Sequence, residues 1–247
     1  MKPSFLFLFF ILAFVKPAYS RVFSMGKESF GGYFLLTGGN SAIKDKAFAN
    51  ESTATAYDGA YNLNTGGEFG FSYLTGRATW RFGFEVIKPT ALSGVSSTLG
   101  GSEVYQVKSD LSCYIPKIGI ELIVKQTPTL RLALFGYGGT ASLAMKNDYS
   151  LLTIAPNADF SLESKSAANL MGGGFLTELY MMDTTTFMLE LGYRDLKFKE
   201  IKYSKNVASA FNGSITAGDV VVDNTGANRM IDLSGAYISV GFRIWLY

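Results

Sequence analysis

Nine charged side chains, spaced at even intervals within alternating segments, are the residues best suited to chemistry in this 247-residue chain. They are Glu68, Arg81, Glu85, Glu121, Arg131, Glu178, Glu190, Arg194 and Arg243. Two neighbouring carboxylates could act as acid and base. A glutamate beside an arginine more often forms an ion pair, because a buried charge needs a partner and the arginine fork matches a carboxylate. We therefore interpret the nine as a structural charge network, and no catalytic residue is predicted.

The rest of the composition points away from an enzyme. The chain has no histidine, the side chain most used for proton transfer near neutral pH, and its single Cys113 has no histidine partner. No cluster of histidine and cysteine suggests a metal, so no metal or cofactor is expected. A formal net charge of +2 gives no basic excess for nucleic acid. A charged fraction of 17% is low for a soluble domain, where about 25% is usual.

Alternation of apolar and polar residues with a period of two predicts eight strands, joined in strict order by short turns and long polar segments. The predicted strands are Ser29–Gly38, Leu63–Tyr73, Ala78–Lys88, Ile118–Val124, Leu130–Leu143, Asn169–Met181, Thr186–Lys197 and Tyr237–Tyr247. The four long segments lie near 39–60, 89–116, 146–166 and 198–229. Val104–Tyr114 also alternates and either extends the fourth strand or makes a ten-stranded barrel. Ser214–Val222 is a candidate extension of the last hairpin.

The nine charges fall on one row of their strands, and the opposite rows carry no charge over 80–86, 118–124 and 187–193. In the third strand, for example, the opposite row is Trp80, Phe82, Phe84 and Val86. A soluble barrel has an oily interior and a polar exterior, so this pattern predicts the reverse arrangement, with the apolar rows against lipid. Eight strands leave room only for side chains, which predicts a lumen plugged by Glu–Arg pairs.

Aromatic residues near strand ends are expected at the two headgroup zones, where amphipathic rings are favoured. They include Tyr73, Trp80, Tyr180, Tyr193 and Tyr237.

The N-terminal residues predict an export signal. Lys2 is followed by an apolar run from Phe5 to Val15, and Ala18 and Ser20 are small residues at the positions that a signal peptidase recognises. The run is shorter than the roughly 20 residues of a transmembrane helix. We predict a signal peptide at 1–20 and a single barrel domain at 21–247.

The C-terminal strand resembles the targeting signal of outer-membrane β-barrels. Ser239, Gly241, Ile244 and Leu246 match its polar, glycine and hydrophobic positions, and Tyr247 supplies the terminal aromatic. This resemblance implies recognition by the barrel assembly machinery.

As a pattern over residues 21–247, the chain resembles the small outer-membrane barrels typified by the OmpA transmembrane domain and OmpX. The resemblance implies an all-β, eight-stranded antiparallel up-and-down barrel in the outer membrane of a Gram-negative cell. It also implies a monomer in contact with outer-membrane lipid and lipopolysaccharide, with a structural or surface-interaction role through four extracellular loops that could bind an external ligand. A small or gated channel for ions and small solutes is the alternative.

Overall fold

The structure is a computed structural model that describes residues 29–44, 46–48, 56–90, 92–151, 159–182, 184–209, 213–223 and 226–246. The predicted signal peptide and Tyr247 lie outside the described residues. Within these ranges, no helix has the length and apolar character needed to cross a bilayer.

The described residues form fourteen strands, eight of them long. The long strands are β1 (Ser29–Lys44), β3 (Tyr61–Thr75), β4 (Ala78–Pro89), β6 (Ser102–Gln126), β7 (Leu130–Leu151), β8 (Phe160–Tyr180), β9 (Thr185–Phe198) and β14 (Gly235–Leu246). The shorter strands are β2 (Ala56–Tyr57), β5 (Leu92–Leu99), β10 (Lys202–Tyr203), β11 (Val207–Ser209), β12 (Gly213–Ile215) and β13 (Ile231–Asp232).

The eight long strands close into a ring in which each strand is antiparallel to both neighbours. The order is β1-β3-β4-β6-β7-β8-β9-β14, and β14 returns to pair with β1 from Phe30↔Leu246 to Gly39↔Tyr237. The predicted eight-stranded barrel is confirmed. Val104–Tyr114 continues β6, while β5 pairs with β6 and β2 off the ring, so the ten-stranded alternative is wrong.

Three tight connections close one end of the ring. At the first, between β3 and β4, Gly76 has a φ of 58°, a left-handed conformation that glycine adopts without a steric penalty. The other two join β6 to β7 and β8 to β9. All the long connections therefore leave from the opposite end, as in outer-membrane barrels with short periplasmic turns and long external segments.

An apolar belt surrounds the ring. Phe69, Phe82 and Phe242 are 57%, 51% and 49% exposed, although such residues are usually buried in soluble proteins. The outward rows end in exposed Trp80 near the tight turns and exposed Tyr193 near the other end. A surface of this kind is stable only where lipid replaces water, so the belt marks the part of the barrel that spans the bilayer.

Beyond the belt, three strands continue far from the membrane. β6, β7 and β8 contain 25, 22 and 21 residues, whereas about 9–11 residues suffice for one crossing. We name this region the dome: β5, residues 102–112, 142–151 and 160–168, and the segments 46–48, 198–209, 213–223 and 226–233 that pack on them.

The dome has its own hydrophobic core, continuous with the upper end of the lumen. Phe48, Tyr105, Leu111, Ile201 and Ile231 are among its fully buried members. The segments predicted as polar loops therefore contain ordered strands, because their inward rows are apolar.

The candidate extension of the last hairpin is not formed. Gly213–Ile215 (β12) pairs with Val207–Ser209 (β11) in a separate two-stranded sheet, and β14 begins only at Gly235. The following residues make isolated bridges, such as Lys202↔Val220, instead of lengthening β14.

Candidate functional site

The lumen within the belt holds all nine of the charged residues singled out in the sequence, each buried. The group nearest the tight turns contains Glu121, Glu178, Arg131 and Arg243. Arg131 Nη2 lies 2.6 Å from Glu121 Oε2, and Arg243 Nη1 lies 3.2 Å from Glu178 Oε2. Arg243 also donates to Glu121 through Nη2, so both arginines share the two carboxylates.

A second group lies toward the dome and includes Lys117, a cation just outside the predicted fourth strand. Lys117 Nζ lies 2.7 Å from Glu68 Oε2 and 2.9 Å from Glu85 Oε2. Arg194 Nη1 approaches the other oxygen of Glu85 at 2.9 Å. Lys117 is two residues before Gly119 on the same inward row, so alternation could have found it had the fourth strand begun earlier.

Arg81 joins the two groups into one network. Its Nη2 lies 3.0 Å from Glu68 Oε1, its Nη1 lies 3.4 Å from Glu121 Oε1, and Nη1 also donates to Glu190. With Lys117 included, five acids face five bases in the network, so its formal charges balance. This balance is what a low-dielectric interior requires, since an unpaired buried charge is costly.

Hydroxyl groups satisfy several of the remaining hydrogen-bonding positions. Tyr33 donates to Glu68 Oε1 at 2.6 Å, and Arg131 Nη2 donates to Thr79 Oγ1 at 2.8 Å. Thr186 donates to Glu178. These three residues were not identified in the sequence, because hydroxyl side chains are common on inward rows and carry no distinctive spacing.

Three tyrosine rings cover the cations on the dome side. Arg81 lies 4.5 Å from the centre of the Tyr33 ring, Lys117 Nζ lies 4.4 Å from that of Tyr137, and Arg194 lies 4.6 Å from that of Tyr237. Cations over aromatic faces gain an electrostatic attraction that grows when water is absent.

Each of these rings lies against an inward glycine of another strand. A Cβ added at Gly83 would lie 2.4 Å from the hydroxyl of Tyr33, and one at Gly192 would lie 2.6 Å from Cζ of Tyr237. A Cβ added at Gly172 would likewise clash with the hydroxyl of Tyr137. The glycines therefore create the space in which the rings lie.

Two of the aromatic residues expected at the headgroup zones lie instead inside the barrel. Tyr180 and Tyr237 are buried, because they belong to the same inward rows as Glu178 and Ser239. Trp80 and Tyr193 are exposed as expected, and Tyr73 is half-buried.

Trp245 closes the turn end of the lumen. Its ring lies 5.1 Å from the guanidinium of Arg243 and 5.6 Å from that of Arg131, and it packs with Leu74 and Ile123. The charge network is thus enclosed between this small apolar cluster and the hydrophobic core of the dome.

A small cavity lies within the charge network. It has a volume of about 10 Å³ among Tyr33, Glu68, Arg81, Lys117 and Glu190, at the lower limit for one water molecule. Among the described residues, no group of acidic or sulfur side chains could hold a metal ion.

Polar contacts fix the dome segment 46–48 to the barrel wall. Asn147 Nδ2 donates to the carbonyl of Ala47 at 2.9 Å, and the Tyr149 hydroxyl donates to that of Phe48 at 3.0 Å. Nearby, the Tyr61 hydroxyl donates to the carbonyl of Ser109 at 2.7 Å, and burial raises the pKa of Tyr61 to about 12.

A soluble barrel has an apolar interior and a polar exterior. This closed ring has the reverse arrangement, with balanced charges inside and an apolar belt outside. With an even number of antiparallel strands, short turns at one end and long connections at the other, these features decide the class. This is the architecture of an outer-membrane β-barrel. The barrel is an integral outer-membrane protein, as its lipid-facing belt requires, and the resemblance drawn from the sequence is confirmed in fold.

Solved structures with similar strand arrangements include three outer-membrane proteins. The Yersinia pestis attachment invasion locus protein Ail is 12% identical, covers 90% of this chain and 99% of its own, and has a TM-score of 0.39. A major outer membrane protein from Thermus thermophilus is 12% identical, with coverages of 89% and 99% and a TM-score of 0.48. OprG from Pseudomonas aeruginosa is 15% identical, with coverages of 90% and 96% and a TM-score of 0.39. No inference about function follows from similarity at this level.

No protein-family model matches the sequence. No curated protein matches it significantly either.

The residues of the C-terminal targeting signal divide between the two faces of β14. Ile244 and Leu246 face the lipid and are 52% and 59% exposed, whereas Ser239 and Gly241 lie on the inward row. Their recognition by the barrel assembly machinery stays a prediction.

Proposed function

We propose that this barrel is closed to solutes and serves as a membrane anchor for the dome, which acts in surface interaction outside the cell. The observation that carries the proposal is the filled, charge-balanced lumen. The cavity of about 10 Å³ within the network is far too small to hold a continuous water path.

Two apolar barriers, one at each end of the lumen, favour a closed barrel over the alternative of a channel. At the turn end, Trp245 packs with Leu74 and Ile123. At the other end, Phe48 and Ile231 belong to the core of the dome, above the charge network. An ion would have to displace both barriers and also compete with paired charges, so a steady open state is unfavourable.

The ordered dome supports a role in surface interaction. A rigid, folded platform loses less conformational entropy on binding than mobile loops do. Its outward rows carry charged side chains, including Lys108, Asp110 and Lys146, which suit contact with water or a polar partner.

Single-channel recording in a planar bilayer tests the closed state. The folded barrel should give no steady conductance steps at any voltage that the bilayer tolerates. Arg131→Ala and Arg243→Ala should each raise conductance, because each removes a cation that fills the lumen and pairs with Glu121.

Arg77→Ala is the matched control, since this arginine is exposed at a tight turn outside the network. Every sample is first checked for the gel-mobility shift of folded barrels. Steady steps from the folded wild-type protein would overturn the closed state and favour the channel.

A further inference from the structure

A groove on the outer wall of the barrel lies just above the lipid belt, between β7, β8 and the segment that contains β10. It has a volume of about 540 Å³. Ser142 lines it from β7, Lys165 and Ala167 from β8, and Glu200 and Lys202 from the dome segment. The groove opens outward, away from the charge network of the lumen.

Two like charges lie opposite each other in the groove, which is unfavourable while no anion is bound. Lys165 and Lys202 are direct cross-strand partners in the β8–β10 pairing, and like charges opposite each other destabilise a sheet. Glu200 neutralises only one of them, through a contact of 2.7 Å between Glu200 Oε1 and Lys202 Nζ. Lys165 has no ion-pair partner among the described residues, so the groove keeps an excess positive charge.

The surroundings reinforce this excess. The stretch 195–205 and its β8 neighbours carry five lysines against three carboxylates. They are Lys165, Lys197, Lys199, Lys202 and Lys205 against Glu163, Asp195 and Glu200. An anion held between Lys165 and Lys202 would relieve their repulsion.

The height of the groove indicates where such an anion comes from. On the outward row of β8, Ala167 and Asn169 separate Lys165 from Met171, which is 68% exposed in the belt. Six residues at about 3.3 Å each, tilted by about 40°, place Lys165 about 15 Å farther out than Met171. This level lies above the acyl chains, where the headgroups of the outer leaflet contact the barrel wall.

We propose that this groove binds a phosphate of the phosphorylated sugar headgroup of an outer-leaflet glycolipid, with Lys165 and Lys202 as the cationic contacts and the Ser142 hydroxyl beside them. The site rests on the placement of the barrel in the outer membrane but not on a closed lumen. Conductance in the bilayer experiment would therefore leave it unaffected.

The test is a titration of the folded barrel, in neutral detergent, with fluorescently labelled rough lipopolysaccharide that carries a phosphorylated core, followed by anisotropy. Lys165→Gln should weaken binding by about fivefold, the effect of about 1 kcal/mol per lysine near a charged lipid surface. The same change at Lys88, an exposed lysine that pairs with Asp110 on another side of the barrel, should have no effect.

Glu200→Gln should change the binding affinity in the opposite direction. It frees Lys202 from its carboxylate and should tighten binding, which a merely structural role of Glu200 would not do. Dephosphorylated lipopolysaccharide should bind the wild-type barrel and the Lys165→Gln barrel with equal affinity, because it has no phosphate for Lys165 to contact.

Three results would overturn the proposal. Equal losses in Lys165→Gln and Lys88→Gln would mean diffuse attraction to the whole surface. If folded Glu200→Gln bound the lipid equally well or more weakly, the groove would not be the site that binds the anion. Displacement of the lipid by an equal concentration of inorganic pyrophosphate would show a site for soluble phosphate instead of a lipid headgroup.

Discussion

At the scale of single residues, the lumen is filled by two complementary side-chain arrangements. Ion pairs balance charge, as where Lys117 lies between Glu68 and Glu85. Glycines on inward rows leave space for the tyrosine rings that cover the cations, as where Gly192 faces Tyr237. Both arrangements fill volume without leaving a charge of the network unpaired, in agreement with the small size of the cavity within it.

Gly192→Ala should destabilise the folded barrel by about 1–3 kcal/mol, the usual cost of overpacking. The new Cβ would lie 2.6 Å from both Cζ and the hydroxyl of Tyr237. The free energy of unfolding is measured by urea titration in lipid vesicles, using tryptophan fluorescence. The same change in a Tyr237→Ala background should cost little, because the clashing ring is gone.

Gly38→Ala is the control, since no atom lies within 4 Å of its added Cβ. An equal loss for Gly192→Ala with and without Tyr237 would mean that the ring is not what the glycine accommodates.

Alternation in the sequence predicted the face of all nine charged residues, because a one-residue error in register would have placed them against lipid. It could not predict which acid pairs with which base, since this depends on the stagger of strands distant in sequence. Arg81 and Glu190, for example, are 109 residues apart. Tyr180 and Tyr237 were misplaced because an aromatic residue near a strand end fits either a headgroup or a lumen position.

At the scale of elements, the dome is the main difference between the predicted and the observed structure. The tight turns and ring order were predictable from local patterns and from the antiparallel rule. Serine, threonine and asparagine are frequent in the long connections, which predicts polar loops there. Their inward rows, with residues such as Val107, Met145 and Tyr149, form a core that becomes visible only when the strands are paired.

Phe48→Ala should loosen the dome and leave the belt intact. Phe48 is fully buried, with its ring 5.2 Å from that of Tyr57, and such a truncation costs about 3–5 kcal/mol. Hydrogen–deuterium exchange should accelerate in residues 102–112 and 142–151 but not in the belt, and the gel-mobility shift should persist.

Met230→Ala is the control, since its side chain is 38% exposed. Loss of the gel shift in Phe48→Ala would mean that dome and belt fold as one unit. Unchanged exchange in the dome would mean that Phe48 does not hold the dome in place.

At the scale of the whole molecule, the charges divide into two populations. Pairs in the lumen, such as Arg131 with Glu121, are about 1% exposed or less. Pairs on the outer surface, such as Lys88 with Asp110, are about half exposed. Dissolved salt weakens the second population strongly, whereas the proposed closed lumen excludes it from the first.

The free energy of unfolding should therefore change little between about 0.05 and 1 M sodium chloride, because exposed pairs contribute only about 0–1 kcal/mol each. Urea titrations at several salt concentrations measure this dependence. A steady fall in stability with added salt would mean that ions enter the lumen, against the closed state.

The pairing of β14 with β1 has a consequence for biogenesis. Arg243 and Trp245 lie on the inward row of β14, and we expect the lumen around them to be enclosed only when this seam with β1 forms. Until then, Glu121 and Glu178 lack one of their cations, and the half-made interior must stay hydrated. We therefore expect sealing of the seam, neutralisation of the carboxylates and expulsion of the water to occur together in the final stage of insertion.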